Sequence, residues 1–118
     1  LDENKNINEG NGFNIFFIKN NTVLTPKSQY VLPGVTREKV IQISKKLNFK
    51  VIEKNIKLKD MKKYDECFVT ATGWGICSVK SINRKVFYNR NKTKKIQEKY
   101  SKLVGINIVN QYLNFLNV

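Results

Sequence analysis

The sequence predicts a mixed α/β fold. Short runs rich in β-branched and aromatic residues alternate with segments whose apolar residues recur at helical spacing, and asparagine, proline and glycine pairs mark the boundaries between them. A length of 118 residues accommodates one core of this kind. The apolar content of 41% and aromatic content of 11% are those of a chain that packs, and they argue against disorder despite the strong charge.

Residues 13–18 (FNIFFI) have the composition of a buried strand, and Asn20-Asn21 offers a two-residue turn into a second strand over 22–25. After Pro26 a loop leads to Leu32-Pro33-Gly34. Val40, Ile43 and Leu47 then recur at near-helical spacing, with Thr36 as the N-cap and an end near Asn48. A strand follows over 51–56, then a short helix over 58–64 with Asp60 in its first turn, then a strong strand over 67–71. The glycine-flanked turn Thr72-Gly73-Trp74-Gly75 leads to a strand over 76–82, and Asn83-Arg84 turns the chain into a short strand over 86–88. The last clear element is a helix over 93–104, with Ile96, Tyr100 and Leu103 on one face and Gly105 closing it. Strands and helices interleave without an internal repeat or a long linker. Residues 1–8 read as the tail of a strand and turn whose partner lies upstream, so a fragment of a longer protein is expected.

Lys and Arg total 22 against 9 acidic residues, a formal net charge of +13. An excess of this size can serve a nucleic-acid or anionic-membrane surface, because cationic contacts dominate phosphate binding. Here lysines far outnumber arginines and are spread through Lys19, Lys27, Lys39, Lys59, Lys80 and Lys92 instead of forming one block. No nucleic-acid-binding motif accompanies them, so the charge reads as solvated surface and nucleic acid is not the expected partner. Cys67 and Cys77 lie in apolar runs without zinc or redox spacing, which predicts reduced, packed thiols. No stretch approaches the roughly 20 apolar residues of a membrane span, and the polar start is unlike a signal sequence. A cytoplasmic setting without a membrane partner is expected.

The chain contains no histidine, which excludes Ser-His-Asp triads, Cys-His dyads and histidine-based metal sites. Two glycine-bearing turns remain as candidate chemistry. Leu32-Pro33-Gly34-Val35-Thr36 places backbone amides and a hydroxyl at the start of a helix, where free amides and the positive end of the dipole favour a phosphate. Ala71-Thr72-Gly73-Trp74-Gly75 offers a hydroxyl and small residues at a strand end, where an anion can approach the backbone closely. Either turn alone reads equally as a structural feature. Glu9-Gly10, just ahead of the best strand, taken singly reads as a solvated carboxylate on a turn. Composition and spacing thus reach an anion site with no ligand named.

The order and wording of these pieces resemble the class IV (fold type IV) pyridoxal-phosphate family of branched-chain and D-amino-acid aminotransferases. Ile7-Asn8-Glu9-Gly10-Asn11-Gly12-Phe13-Asn14-Ile15 resembles the family's I-x-E-G-x-G-x-N segment, and its Gly-Phe-Asn form is similar to that of (R)-selective amine transaminases. Leu32-Pro33-Gly34-Val35-Thr36-Arg37 continues the likeness, and Asp65-Glu66-Cys67-Phe68-Val69-Thr70-Ala71-Thr72 resembles the A-D-E-V-F-x-x-x-T strand. The three blocks stand in order across residues 1–104.

This resemblance implies the C-terminal, cofactor-binding domain of a transaminase, with a mixed or barrel-like sheet and flanking helices. It implies that Glu9 faces the pyridine nitrogen of pyridoxal 5′-phosphate and keeps it protonated, so that the ring withdraws electrons from the substrate Cα. Val35 and Thr36 would offer amides and a hydroxyl to the cofactor phosphate, Thr72 a second hydroxyl, and Gly73 and Trp74 would lie beside the substrate. The Schiff-base lysine and a phosphate-binding arginine would precede residue 1, leaving this chain alone with no catalytic residue and inactive. Further implied partners are an amino donor and a keto acid, the N-terminal domain of the same protein, and a second subunit.

The likeness departs from the pattern at three places. Gly73-Trp74-Gly75 stands where many members have Ala-Ala-Glu or Ala-Gly-Gly, so an indole either packs structurally or reshapes the substrate pocket. Ser78 replaces a usual proline, and Asn91-Lys92-Thr93-Lys94 replaces a Gly-Pro-x-Thr stretch. The leading function is amino transfer. An aminodeoxychorismate-lyase-like carbon-carbon cleavage on the same fold and, from a different class, a non-catalytic basic binding module are the alternatives.

Overall fold

Both faces of the strand over residues 14–19 are buried, which is why its apolar run is continuous instead of alternating. The computed structural model describes residues 6–7, 14–27, 35–71, 75–82, 85–104 and 112–113. In chain order the strands are β1 (Asn6–Ile7), β2 (Asn14–Lys19) and β3 (Thr22–Thr25), followed by the helix α1 (Val35–Lys46). Then come β4 (Lys50–Glu53), β5 (Ile56–Lys57), a 3₁₀ helix (Leu58–Lys63), β6 (Glu66–Ala71) and β7 (Gly75–Val79). The chain continues through β8 (Ser81–Ile82), β9 (Lys85–Val86), the helix α2 (Asn91–Val104) and β10 (Tyr112–Leu113).

Six strands form the main sheet in the order β10-β7-β6-β2-β3-β4. β2 pairs antiparallel with β3 and β6, and β6 with β7, whereas β3–β4 and β7–β10 are parallel. The parallel pair β3–β4 requires a crossover, and α1 supplies it. The tight turn between β2 and β3 is made by Asn20, at φ 54°, in the left-handed region that asparagine tolerates better than most residues.

The sheet separates two apolar clusters. Phe16, Ile18, Val23 and Phe68 point toward the helices, meeting Val40 and Ile43 of α1 and Ile96 and Tyr100 of α2. Ile15, Phe17, Leu24, Cys67 and Val69 point the other way, onto Met61, Tyr64, Ile82 and Phe87. Phe16 and Phe68 face each other across β2 and β6 and stack at 4.9 Å between ring centroids. Burying each such ring stabilises the fold by about 1.5–3 kcal/mol.

The mixed α/β class is borne out, and so are most elements, with local differences. β1 pairs with β5, through Asn6 to Lys57 and Ile7 to Ile56, so one partner of this stretch lies downstream in the chain. The single strand expected over 51–56 divides in two: Lys54 N still donates to Thr25 O at 3.0 Å, and the chain then leaves β3 to meet β1. The short helix over 58–64 is a 3₁₀ helix ending at Lys63, and Asp60 in its first turn pairs with Lys63 at 3.4 Å. The strand expected over 76–82 breaks at Lys80, because β8 turns to pair with β9, which covers 85–86 where 86–88 was expected.

α1 already includes Val35, so Thr36 sits inside its first turn and is not the N-cap; the buried contacts of Arg37 hold that turn against the sheet. At the other end Asn48, at φ 69°, closes α1 as expected, with Asn48 N donating to Lys45 O and Phe49 N to Ser44 O. α2 begins at Asn91, two residues earlier than its apolar pattern. Its buried face is Thr93, Ile96, Gln97 and Tyr100, whereas Leu103 is exposed, contrary to expectation, because the stripe has by then turned past the sheet. Neither cysteine forms a disulfide, and both are buried. Phe13, the turn at Asn83-Arg84 and Gly105 lie outside the described residues.

Candidate functional site

Pairing register shows which chain segments meet. β6 ends at Ala71, opposite Gly75 at the start of β7, so residues 72–74 link these antiparallel strands. Asn14, where β2 begins, faces Thr70, one position short of that link. Thr25, where β3 ends, donates its hydroxyl to Ile15 O at 2.7 Å. The start of β2 and the ends of β3 and β6 therefore lie together at one end of the sheet. The first turn of α1 returns there, because Arg37 Nη2 donates to Pro26 O at 3.1 Å. The far end of α1 lies at the β2–β3 turn, where Lys50 N donates to Asn21 O at 2.9 Å. An α-helix starting at the carboxyl end of a strand in a parallel pair is a recurrent place for anionic ligands.

Among the candidate residues, Val35 is the first residue of α1 and Thr36, half-buried, the second. Glu9, Thr72, Gly73 and Trp74 lie outside the described residues. Their described neighbours in sequence, Asn14 after Glu9 and Ala71 and Gly75 around the turn, stand at this same end. Gly75 has φ 78°, in the left-handed region that a β-carbon penalises, and this accounts for glycine at the second flank of the turn.

The start of α2 is capped by side chains. At α2 the carboxylate of Glu66, from β6, accepts from Thr93 N at 2.8 Å, Thr93 Oγ1 at 2.8 Å and Lys92 N at 3.0 Å. Asn89 Oδ1 accepts from Asn91 N at 2.9 Å. The free amides of that first turn thus have acceptors. The residue that precedes α1, Gly34, has no side-chain acceptor, and the first-turn amides of an α-helix need acceptors from outside its own hydrogen-bond ladder.

Arg37, in this first turn, has only 1% of its side chain exposed. Its Nη2 donates to Glu53 Oε1 of β4 at 2.7 Å as well as to Pro26 O, and its Nη1 to Glu38 Oε1 at 3.2 Å. Its Nε is buried without a partner among the described residues. Thr70 Oγ1, on the helix-facing side of β6 and two positions before Thr72, is a second buried atom without one. Sequence reasoning gave Arg37, Glu66 and Thr70 no role, although all three stand inside the quoted motifs. A glutamate within an apolar strand was the readable signal, since a buried carboxylate needs donors.

Other polar features lie elsewhere. A cavity of about 260 Å³ opens between the β2–β3 turn and the 3₁₀ helix, lined by Lys19, Asn20, Leu24, Lys54, Lys63 and Tyr64 among others. Burial, and then the nearby Asp60, push the Tyr64 hydroxyl above its ordinary pKa. Burial raises the Cys67 thiol well above its ordinary value, and the Cys77 thiol less strongly. That makes both poor nucleophiles. Among the described residues no cluster of three metal-ligating side chains exists, and no helix is long and apolar enough to cross a membrane.

The architecture, a central mixed sheet with flanking helices, is that of the fold type IV aminotransferases. The branched-chain aminotransferase of Thermoproteus uzoniensis, solved with norvaline, superposes with a TM-score of 0.82 at 32% identity, over 88% of this chain and 35% of that one. The 4-amino-4-deoxychorismate lyase of Pseudomonas aeruginosa shares the fold, with a TM-score of 0.80 at 19% identity, over 86% of this chain and 38% of that one. The model of the family described as amino-transferase class IV matches residues 1–82, and the chain belongs to that family. Branched-chain-amino-acid aminotransferase 1, mitochondrial, of Arabidopsis thaliana is 38% identical over 109 residues, which are 89% of this chain and 28% of that protein. The chain spans about one third of the length of the curated relatives it matches.

Proposed function

We propose that this chain forms the cofactor-holding part of a pyridoxal 5′-phosphate-dependent transaminase, within a longer protein that moves an amino group between an amino acid or amine and a 2-keto acid. The observation that carries this reading is the meeting, at one sheet end, of the elements flanking all three ordered sequence blocks, in a chain of the class IV family. The donors present there fit the group. The first-turn amides of α1 and the Thr70 hydroxyl, which has no partner among the described residues, supply what phosphate oxygens accept.

When bound, pyridoxal phosphate supplies a ring that withdraws electrons from the substrate Cα. On this reading the Val35 amide and the Thr36 hydroxyl bind its phosphate, helped by the positive end of the α1 dipole, and Thr72 adds a second hydroxyl. The Glu9 carboxylate holds a proton on the ring nitrogen by favouring the charged form. Gly73 lets the substrate approach the backbone closely, and the Trp74 indole narrows the pocket around it. The lysine that moves a proton at the substrate Cα belongs to the portion preceding Glu9, and an N-terminal domain and a second subunit complete the site. The names of the relatives favour aliphatic amino acids as donors.

The test uses the full-length protein. Thr36→Val should weaken pyridoxal phosphate binding about tenfold while affecting pyridoxal, which lacks the phosphate, much less. Glu9→Ala should retain cofactor but slow turnover about a hundredfold or more. Unchanged turnover would remove Glu9 from the mechanism. Because a lyase shares the fold, the assay also follows pyruvate: its release without any amino acceptor would replace transamination by carbon-carbon cleavage.

A further inference from the structure

We infer that Arg37 is a positioning residue for the anion-binding turn of α1, an inference that rests on the phosphate role of Val35 and Thr36 proposed above. Its guanidinium makes three hydrogen bonds in directions that differ in what they anchor. The bond to Pro26 O joins residues eleven apart in sequence and so closes the excursion that carries the chain from the end of β3 into α1. The bond to Glu53 fastens the same turn to the edge strand β4. The third reaches Glu38, the acidic residue of the first turn of α1.

Two consequences follow for a phosphate at this helix start. Closing the excursion holds Val35 and Thr36 in place before the ligand arrives, so less ordering accompanies binding. Pairing with Glu38 and Glu53 also offsets one of the two carboxylate charges that would otherwise repel a dianion at the same helix end. Stability alone does not account for the arrangement. Arg37 is buried but Glu38 and Glu53 are exposed, so solvent screens these pairs and they stabilise little, and the buried Nε also goes without a partner among the described residues. A guanidinium is the only side chain that can serve three acceptors in this fixed fork, and lysine cannot reproduce it.

The experiment compares affinity for pyridoxal phosphate with affinity for pyridoxal in the full-length protein, for the parent and for R37K, R37Q, E53Q and T36V. The ratio of the two affinities isolates the phosphate end, and thermal unfolding is recorded for each variant. R37Q and R37K should lower the ratio about tenfold, with E53Q moving it the same way by less. If R37Q does not fold, R37K and E53Q carry the comparison. Equal losses for both ligands would reduce Arg37 to a structural anchor and overturn the proposal. A ratio lowered by T36V but by no Arg37 or Glu53 variant would overturn it while leaving the phosphate role of the turn intact. A ratio that no variant moves, T36V included, would overturn both.

Discussion

Glu66 supplies the cap of α2 from a strand distant in sequence. It is 1% exposed, and its two oxygens together take three donors from the start of the helix. Each is a charge-assisted bond, and losing them strands amides in a buried place. Glu66→Ala should therefore destabilise the protein by about 2–4 kcal/mol in urea unfolding. Glu66→Gln, which keeps one acceptor oxygen, should cost less. A loss under about 0.5 kcal/mol for Glu66→Ala would mean that water or another group replaces the cap. At this scale the sequence was partly legible. A carboxylate amid Cys67, Phe68 and Val69 announces that it needs partners, but nothing local says that they stand 26 and 27 residues away.

Among the elements, α1 carries the most consequence, because its start is the proposed phosphate site and its end fixes its length. Asn48 closes it in the left-handed conformation at φ 69°. Asn48→Gly should be neutral or slightly stabilising, while Asn48→Ala should cost about 1 kcal/mol, since a β-carbon is penalised there and the asparagine side chain no longer compensates. Equal stability of the two variants, measured by thermal unfolding, would show that the turn can relax. Element type was readable in β2, β3, α1, β6 and α2, where long apolar patterns have one dominant period. Boundaries were less so. Thr36 resembles an N-cap residue, yet the helix includes Val35, because Arg37 draws the turn onto the sheet through contacts with residues distant in sequence. The split of 51–56 into β4 and β5 likewise depends on which strand each half meets.

At the scale of the whole molecule, two apolar layers divided by one sheet bury three groups that ionise at alkaline pH. Cys67, Cys77 and Tyr64 all have raised pKa values, chiefly through desolvation, with Asp60 adding to the effect on Tyr64. The folded state thus holds these protons more tightly than the unfolded chain does. Their contribution to stability is complete below the ordinary thiol value and is lost as pH rises from about 8.5 through the thiol range and then past about 10 for the phenol. The slope should be roughly one kcal/mol per pH unit for each fully buried group. Unfolding free energies between pH 8 and 10.5 should fall accordingly, and Cys67→Ala should flatten the first part of the fall. An unchanged slope in that variant would assign the alkaline loss to other groups.

The sequence by itself determined the element types, the family and the order of the three blocks, because period, turn chemistry and motif wording are properties of neighbouring residues. Strand order, the pairing of residues 6–7 with 56–57, and the gathering of the block-flanking segments at one sheet end were decided only by tertiary structure. Arg37 shows why. Its place after Thr36 is written in the chain, but its reach to Pro26 and Glu53 exists only once α1 has crossed over to set β4 parallel to β3. A buried charge is defined by partners that the fold brings from a distance, and one-dimensional spacing does not contain them.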